Sequence, residues 1–426
     1  MKTNRVLTNA SWIVGCRIVQ ALLGLIVTML LARYWGPSGY GLINYAASIV
    51  AFVVPVMQLG LNSTLVQELI AQPDKEGEIL GTSLTMSAIS GLCCMIGVVS
   101  FSALANKGET LTTIVCGLYS VQLISQSLEL LQYWFQSKLL SKYTSVTMLA
   151  AYGVATAYKV ILLICKSHVY WFALSQALDY LVIGITLLVI YRKMGNSRLR
   201  FSWKLFCRLF SRSRYYIIAN LMVTIFAQTD RVMLKMMLDE TAVGFYSAAV
   251  TCASMTAFVF VAIIDSARPV IFEKNKVGIR EFEHSVSRLY SLIIYLSLLQ
   301  CVAITVFSEL IIYILYGSEY MEAANVLRLV VWYTTFSYIG SVRNIWILAE
   351  GKQKYLSVIN LSGAGANVLL NYLLIPSMGI HGAALASLIT QIFTNVIISY
   401  LIKPIRHNNT LMLKGLNPKL LMFKSK

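Results

Sequence analysis

The chain has 426 residues, of which 58% are hydrophobic and 12% charged, with a mean hydropathy of +0.70 and a formal net charge of +17. A water-soluble domain of this length has too little interior to hide that much apolar surface, so lipid must be the solvent for most of the chain. Nor does the positive balance point to nucleic acid, because Lys and Arg sit in short gaps between apolar runs and in the C-terminal tail rather than on a water-facing surface.

In chain order, the runs apolar enough to span are 12–33, 42–62, 80–104, 112–135, 144–165, 169–191, 216–237, 243–264, 289–308, 325–348, 356–375 and 382–402. Each supplies the ~20 residues that a helix needs to cross a ~30 Å hydrocarbon core. Only the short polar stretch Met1–Ser11 precedes the first, so no cleavable signal peptide is expected. Turn formers stand in the gaps: Gly36-Pro37-Ser38-Gly39, Gln72-Pro73-Asp74 and Met194-Gly195-Asn196. Of the eight cysteines all but Cys207 fall inside apolar runs, where a thiol is a small hydrophobe, and none shows ligand spacing. No disulfide framework, metal site or cofactor is expected.

The positive-inside rule sets the direction. With both termini cytoplasmic, 26 of the 35 Lys and Arg fall on cytoplasmic segments, against Arg33, Lys107 and Lys166 on the outer side. The chain also repeats itself: Trp134-x7-Lys142-Tyr143-x-Ser145-Val146 returns 212 residues later as Trp346-x7-Lys354-Tyr355-x-Ser357-Val358. Gly39-Tyr40-Gly41 is echoed more weakly by Val243-Gly244-Phe245-Tyr246. The expected architecture is an all-α integral membrane protein of about twelve helices in two pseudo-symmetric six-helix bundles. The first bundle is 1–191, a basic cytoplasmic connector is 192–215, the second bundle is 216–402, and a basic cytoplasmic tail is 403–426.

Polar groups inside lipid are costly unless they face protein or water, so their placement is informative. In the fourth run Gln122, Ser125, Gln126, Glu129, Tyr133 and Gln136 share one helical face, as do Asn220, Thr224, Gln228, Arg231 and Lys235 in the seventh, with Asp230 beside them. Arg17, Gln20, Gly24 and Thr28 mark the first run, and Asn360, Asn367 and Asn371 the eleventh. Wet faces on several helices imply a hydrated cavity, although for the Asn stripe a dry helix–helix contact is an equal reading. Arg17, Lys159, Arg328 and Arg343 lie within about two turns of a span end and can snorkel to the interface. Asp179, ten residues inside its run, cannot. It is a candidate coupling group, or else half of a buried pair with Lys159. No histidine falls in a stripe, and no nucleotide loop or nucleophile elbow occurs, so direct ATP drive and hydrolytic chemistry are not expected.

Four segments stand in order along nearly the whole chain. They are Arg33-Tyr34-Trp35-Gly36-Pro37-Ser38-Gly39-Tyr40-Gly41; Tyr133-Trp134-Phe135-Gln136-Ser137 with Lys142-Tyr143; Gln228-Thr229-Asp230-Arg231 with Val243-Gly244-Phe245-Tyr246-Ser247; and Asn371-Tyr372-Leu373-Leu374-Ile375-Pro376 through Gly379-Ile380-His381-Gly382-Ala383-Ala384. In these the sequence resembles the polysaccharide transporter family, the O-antigen and capsule-repeat flippases of the multidrug/oligosaccharidyl-lipid/polysaccharide exporter superfamily, with Trp35 where Leu is usual. The resemblance implies two six-helix bundles, a cationic central cavity and alternating access. It implies as substrate an undecaprenyl-pyrophosphate-linked oligosaccharide, carried from the inner to the outer leaflet of a bacterial cytoplasmic membrane, with proton or sodium coupling. It marks Arg33, Asp230 and Arg231.

A pyrophosphate-sugar head needs such help, since one charge at mid-bilayer alone costs at least ~3 kcal/mol. The residues expected to hold its phosphates are Arg17, Arg33, Arg231 and Lys235. Gln122, Gln126, Glu129, Asn220 and Gln228 are expected to meet the sugar, and Asp179, Asp230 and Lys159 are the coupling candidates. Expected partners are the lipid-linked oligosaccharide, membrane lipid, and the polysaccharide polymerase and glycosyltransferases of such a pathway. A cation-coupled drug exporter would favour a carboxylate-rich cavity, whereas the stripes hold more cations than acids. A membrane polymerase or glycosyltransferase would need a large outer loop, whereas the longest outer gap, 309–324, has only Glu309, Glu319 and Glu322 as charges.

Overall fold

The computed structural model describes residues 2–195 and 197–420, with side chains described from Gly15 onward except at 17, 18 and 22. The protein is all-α, with no strand among the described residues. By length and composition, 8 helices among the described residues can cross a membrane, or 9 with Glu240–Ser254 and Ala257–Val277 taken as one bent span. Two of the eight are double. Lys2–Met57 breaks at Gly36 (φ 65°) and Lys354–Ile392 at Gly379 (φ 58°), left-handed conformations that glycine adopts without penalty. Pro37 then opens the next helix, where its missing N–H is no loss. Glu322–Ala349, carrying Arg328 and Arg343, completes a set of twelve.

These are α1 (2–35), α2 (37–57), α3 (Pro73–Ala105), α4 (Thr110–Ser137), α5 (Ser141–Ile164), α6 (Val169–Met194) and α7 (Trp203–Met237), then α8 (Glu240–Ser254 with Ala257–Val277), α9 (Ile279–Val306), α10 (Glu322–Ala349), α11 (354–378) and α12 (380–401). The helices outrun the apolar runs. α8 bends by 44° and continues to Val277 past Pro269, and α9 starts at Ile279. The added turns are polar and self-paired, Arg268 with Asp265 at 3.0 Å and Lys274 with Glu281 at 3.3 Å. Hydropathy marks where lipid ends, not where a helix ends.

The chain forms two compact units, Met1–Trp35 with Leu42–Gln228, and Gly36–Gly41 with Thr229–Lys426. The first has a core built on Leu61, Leu65, Leu131, Trp134, Phe135 and Leu187; the second is built on Phe282, Tyr290, Ile293, Val342 and Trp346. The two tryptophans of the sequence repeat are thus each buried in a unit's own core. Trp134 donates from Nε1 to Glu76 at 3.0 Å, and Lys352 Nζ sits 4.6 Å over the Trp346 ring.

The basic stretch 192–215 is fastened within the first unit. Glu68, 3% exposed, accepts from Arg208 at 3.4 Å and from Arg212, while the Arg200 N–H reaches Gly77 O at 3.2 Å and the Ser202 N–H reaches Thr82 Oγ1 at 3.0 Å. In the second unit the segment Gly36–Gly41 lies against the start of α8. A Cβ on Gly41 would sit 1.7 Å from the Glu240 carbonyl oxygen, and one on Gly244 would sit 2.0 Å from that of Pro37.

Candidate functional site: a cavity walled by amides

The polar faces of α4 and α7 meet inside the first unit. With residues following α2 and others on α6, they wall a cavity of about 540 Å³. Gln122 and Gln126, one turn apart on α4, face Asn220, Thr224 and Gln228, spaced likewise on α7. Gln58 and Asn62 flank a turn in which Leu59 and Gly60 take positive φ. Gln176 and Tyr180 enter from α6, and Tyr119 from α4. Asn220 Nδ2 donates to Asn62 Oδ1 at 3.5 Å, and Ser48 Oγ donates to Gln228 Oε1 at 3.1 Å. Amides and phenols dominate the polar lining, which has no Lys, Arg, Asp or Glu among the described residues. Such a wall offers donors and acceptors without net charge, which suits a hydroxyl-rich ligand.

Glu129 stands at the edge of this wall. It accepts from Gln126 Nε2 at 3.5 Å and from Gln132 Nε2 at 3.1 Å. Gln132 in turn lines a second polar recess of about 150 Å³ with Gln20, Gln136, Ser141, Thr144 and Ser145. Asp179 lies on α6 with one carboxylate oxygen buried and unpartnered; Lys159 acts on it through space, but no ion pair joins them among the described residues. The alternative of a closed buried pair is therefore not the arrangement observed.

Of the expected phosphate-binding cations, Arg17 has its side chain outside the described residues, and Arg33 is exposed at the end of α1. Arg231 and Lys235 belong to the second unit. Arg231 Nε donates to Ser247 Oγ at 3.0 Å, and Lys235 is ion-paired with Glu240 at 2.8 Å, an acid that also accepts from Ser38 at 3.3 Å. Asp230, 5% exposed, is the hub of that unit's polar interior. It accepts from Asn367 at 3.1 Å, Asn371 at 2.7 Å, Ser387 at 2.5 Å and the Tyr246 hydroxyl, tying α7 to α8, α11 and α12. The Oδ1 atoms of Asn367 and Asn371 remain buried without a partner.

The structure thus brings together Gln122, Gln126, Asn220 and Gln228, with Glu129 beside them, and Arg33 is not among the described residues that line this cavity. Sequence reasoning missed Gln58, Asn62, Tyr119, Gln176 and Tyr180. The signal was present in two pairs, Gln58/Asn62 and Gln176/Tyr180, each four residues apart.

The profile of the polysaccharide biosynthesis protein family matches residues 6–275. The chain belongs to that family. As a family member it also matches the MatE profile over 216–373. It is 21% identical over 411 residues to a Shigella flexneri protein named as an O-antigen transporter, covering 93% of this chain and 97% of that one. It is likewise 21% identical over 411 residues to the Staphylococcus aureus capsular polysaccharide biosynthesis protein CapF, covering 93% and 99%. Among solved structures it resembles an inward-facing multidrug resistance MATE transporter of the MOP superfamily (TM-score 0.68, 12% identity, 92% and 95% covered). It also resembles the lipid II flippase MurJ in an inward closed conformation (TM-score 0.66, 16% identity, 94% and 90% covered). The family member has the exporter superfamily's fold and is a multi-pass membrane protein.

Proposed function

We propose that this protein is a flippase that carries a lipid-linked oligosaccharide, with an undecaprenyl-pyrophosphate carrier, from the inner to the outer leaflet of a bacterial cytoplasmic membrane by alternating access. The observation that carries this reading is the amide-walled cavity in a chain otherwise built for lipid. Sugar hydroxyls left unpartnered in hydrocarbon would each cost several kcal/mol, and seven side-chain amides replace their water. The names of the full-length relatives from Shigella flexneri and Staphylococcus aureus support it. Both termini are cytoplasmic, in keeping with the Lys/Arg asymmetry. The bundles 1–191 and 216–402 are the halves that alternate, and polymerase and glycosyltransferases act on the same substrate before and after it. The protein performs no covalent chemistry.

Coupling is to a cation. Asp230 is the stronger candidate, because two unpartnered amide oxygens lie on the asparagines that contact it; Asp179 is the second. Arg17, Arg33, Arg231 and Lys235 are the candidates for the diphosphate, and Lys235 is also paired with Glu240. A drug exporter is the competing reading, favoured by the MatE match, but organic cations call for a carboxylate, and none is among the described residues that line the cavity.

The test is reconstitution in liposomes holding a fluorescent undecaprenyl-pyrophosphate oligosaccharide, with an impermeant quencher reporting leaflet exchange. Parent protein should exchange it, and Gln122→Leu with Gln126→Leu should slow exchange by about tenfold, ~1.4 kcal/mol for a lost set of hydrogen bonds. Exchange no faster than in empty liposomes would reject the reading.

A further inference from the structure

A further cleft lies in the second unit, where the tail docks on the start of α9. It has a volume of about 360 Å³ and is lined by Arg280, Glu283, His284, Ser287, Lys414 and Asn417, with Leu413 and Leu420 at its margin. The tail helix His407–Lys414 is fixed there by reciprocal hydrogen bonds between Tyr290 and Asn408, at 3.1 and 2.9 Å, and by Tyr295 Oη donating to Leu416 O at 2.7 Å. Gly415 permits the approach. A Cβ there would stand 2.6 Å from the Tyr290 Cβ and 3.1 Å from Ser287 O, so only glycine brings Lys414 against α9.

Three features give the cleft a chemistry. Arg280 on α9 and Lys414 from the tail bring cationic side chains from two elements, and His284 stands one turn from Arg280. Glu283, the one acid of the lining, is committed to His407 at 2.7 Å and Lys414 at 3.4 Å, which leaves the Arg280 guanidinium to a ligand. Ser287 is 3% exposed and its hydroxyl has no hydrogen-bond partner, an unused donor in the wall. The volume is about twelve times the ~30 Å³ share of one water, so it accepts a group rather than a single solvent molecule.

We propose that this cleft is a phosphate-binding site in which Arg280, His284 and Ser287 hold a phosphate ester beside the Glu283-paired Lys414. Guanidinium and hydroxyl donors match phosphate oxygens, and basic pockets at the cytoplasmic ends of membrane helices take lipid headgroups. The phosphate can belong to an anionic lipid or to a soluble ion. The purified full chain is titrated with dihexanoyl-phosphatidylglycerol, with inorganic phosphate and, as zwitterionic control, with dihexanoyl-phosphatidylcholine, and Kd is read from the shift in thermal unfolding. Saturable binding of the phosphatidylglycerol alone assigns a lipid headgroup; binding of inorganic phosphate assigns a soluble ligand. In either case Arg280→Gln should raise Kd by about tenfold and Ser287→Ala by about threefold, while Lys276→Gln, outside the lining, should leave it unchanged. If Arg280→Gln does not fold, His284→Gln replaces it. Failure of both anionic probes to bind, or binding indifferent to Arg280→Gln (or its replacement) and to Ser287→Ala, overturns the proposal.

Discussion

The close approach of Gly36–Gly41 to the start of α8 permits a worked prediction. In Gly244→Ala the new Cβ would lie 2.0 Å from the Pro37 oxygen, 2.8 Å from its carbonyl carbon and 3.1 Å from its Cα, all backbone atoms that cannot rotate away. The two segments must part by about 1 Å, which forfeits a quarter to a half of the dispersion energy across the contact and adds overpacking strain, ~3 kcal/mol in all. Tyr40, 5% exposed and 6.1 Å from the Tyr316 ring, is carried out with the segment. At about 2–4 °C per kcal/mol for a unit of roughly 200 residues, the melting temperature should fall by about 6–12 °C. Gly41→Ala drives its Cβ to 1.7 Å from Glu240 O and wedges the same contact. Once one substitution has opened the gap the other meets less resistance, so the double variant should lose at least ~1 kcal/mol less than the sum. Thermal unfolding of purified protein in detergent, followed by intrinsic fluorescence, measures all three. A Gly244→Ala melt within about 1 °C of the parent, or strict additivity, would refute the reasoning.

Further expectations rest on other parts of the molecule. Asp230→Ala strands the Asn367, Asn371 and Ser387 donors and should destabilise the protein by ~2–4 kcal/mol, whereas Ser387→Ala should cost ~1 kcal/mol in the same melts. Glu68→Ala releases Arg208 and Arg212, so limited trypsin digestion should cut within 192–215 about tenfold faster, read as the appearance of two fragments on a gel. Gln58→Leu with Gln176→Leu should slow leaflet exchange by about tenfold while the melting temperature stays within about 2 °C, because both side chains face the cavity rather than the packed core.

Much of this was legible in the sequence, for physical reasons that differ by feature. The twelve passes show because lipid demands apolar runs of fixed length, and the breaks at Gly36 and Gly379 fall in the gaps that hydropathy leaves. The amide faces of α4 and α7 show because a 3.6-residue period sorts Gln122 with Gln126 and Asn220 with Gln228. What periodicity does not carry is pairing between helices. Asn367 and Asn371 stood out on α11, and Asp230 on α7, but that the asparagines give their donors to this carboxylate is a fact of tertiary packing. Lys235 likewise reads as an available cation from the sequence, whereas in the fold Glu240, five residues on and across a helix start, pairs with it. The polar turns by which α8 and α9 extend past their apolar runs look like loop when judged by hydropathy alone, because they carry Asp, Arg and Lys.

The tail helix has a practical bearing on how the protein can be handled. Trimming the chain back to α12 would unroof Tyr290 and strip away Ile405 and Leu411, all three 0% exposed in the intact fold. The bared patch would be apolar and exposed to water, and truncated preparations should clump even with every membrane pass retained. Shortened versions meant for crystallisation or antibody display are better cut no earlier than Leu420.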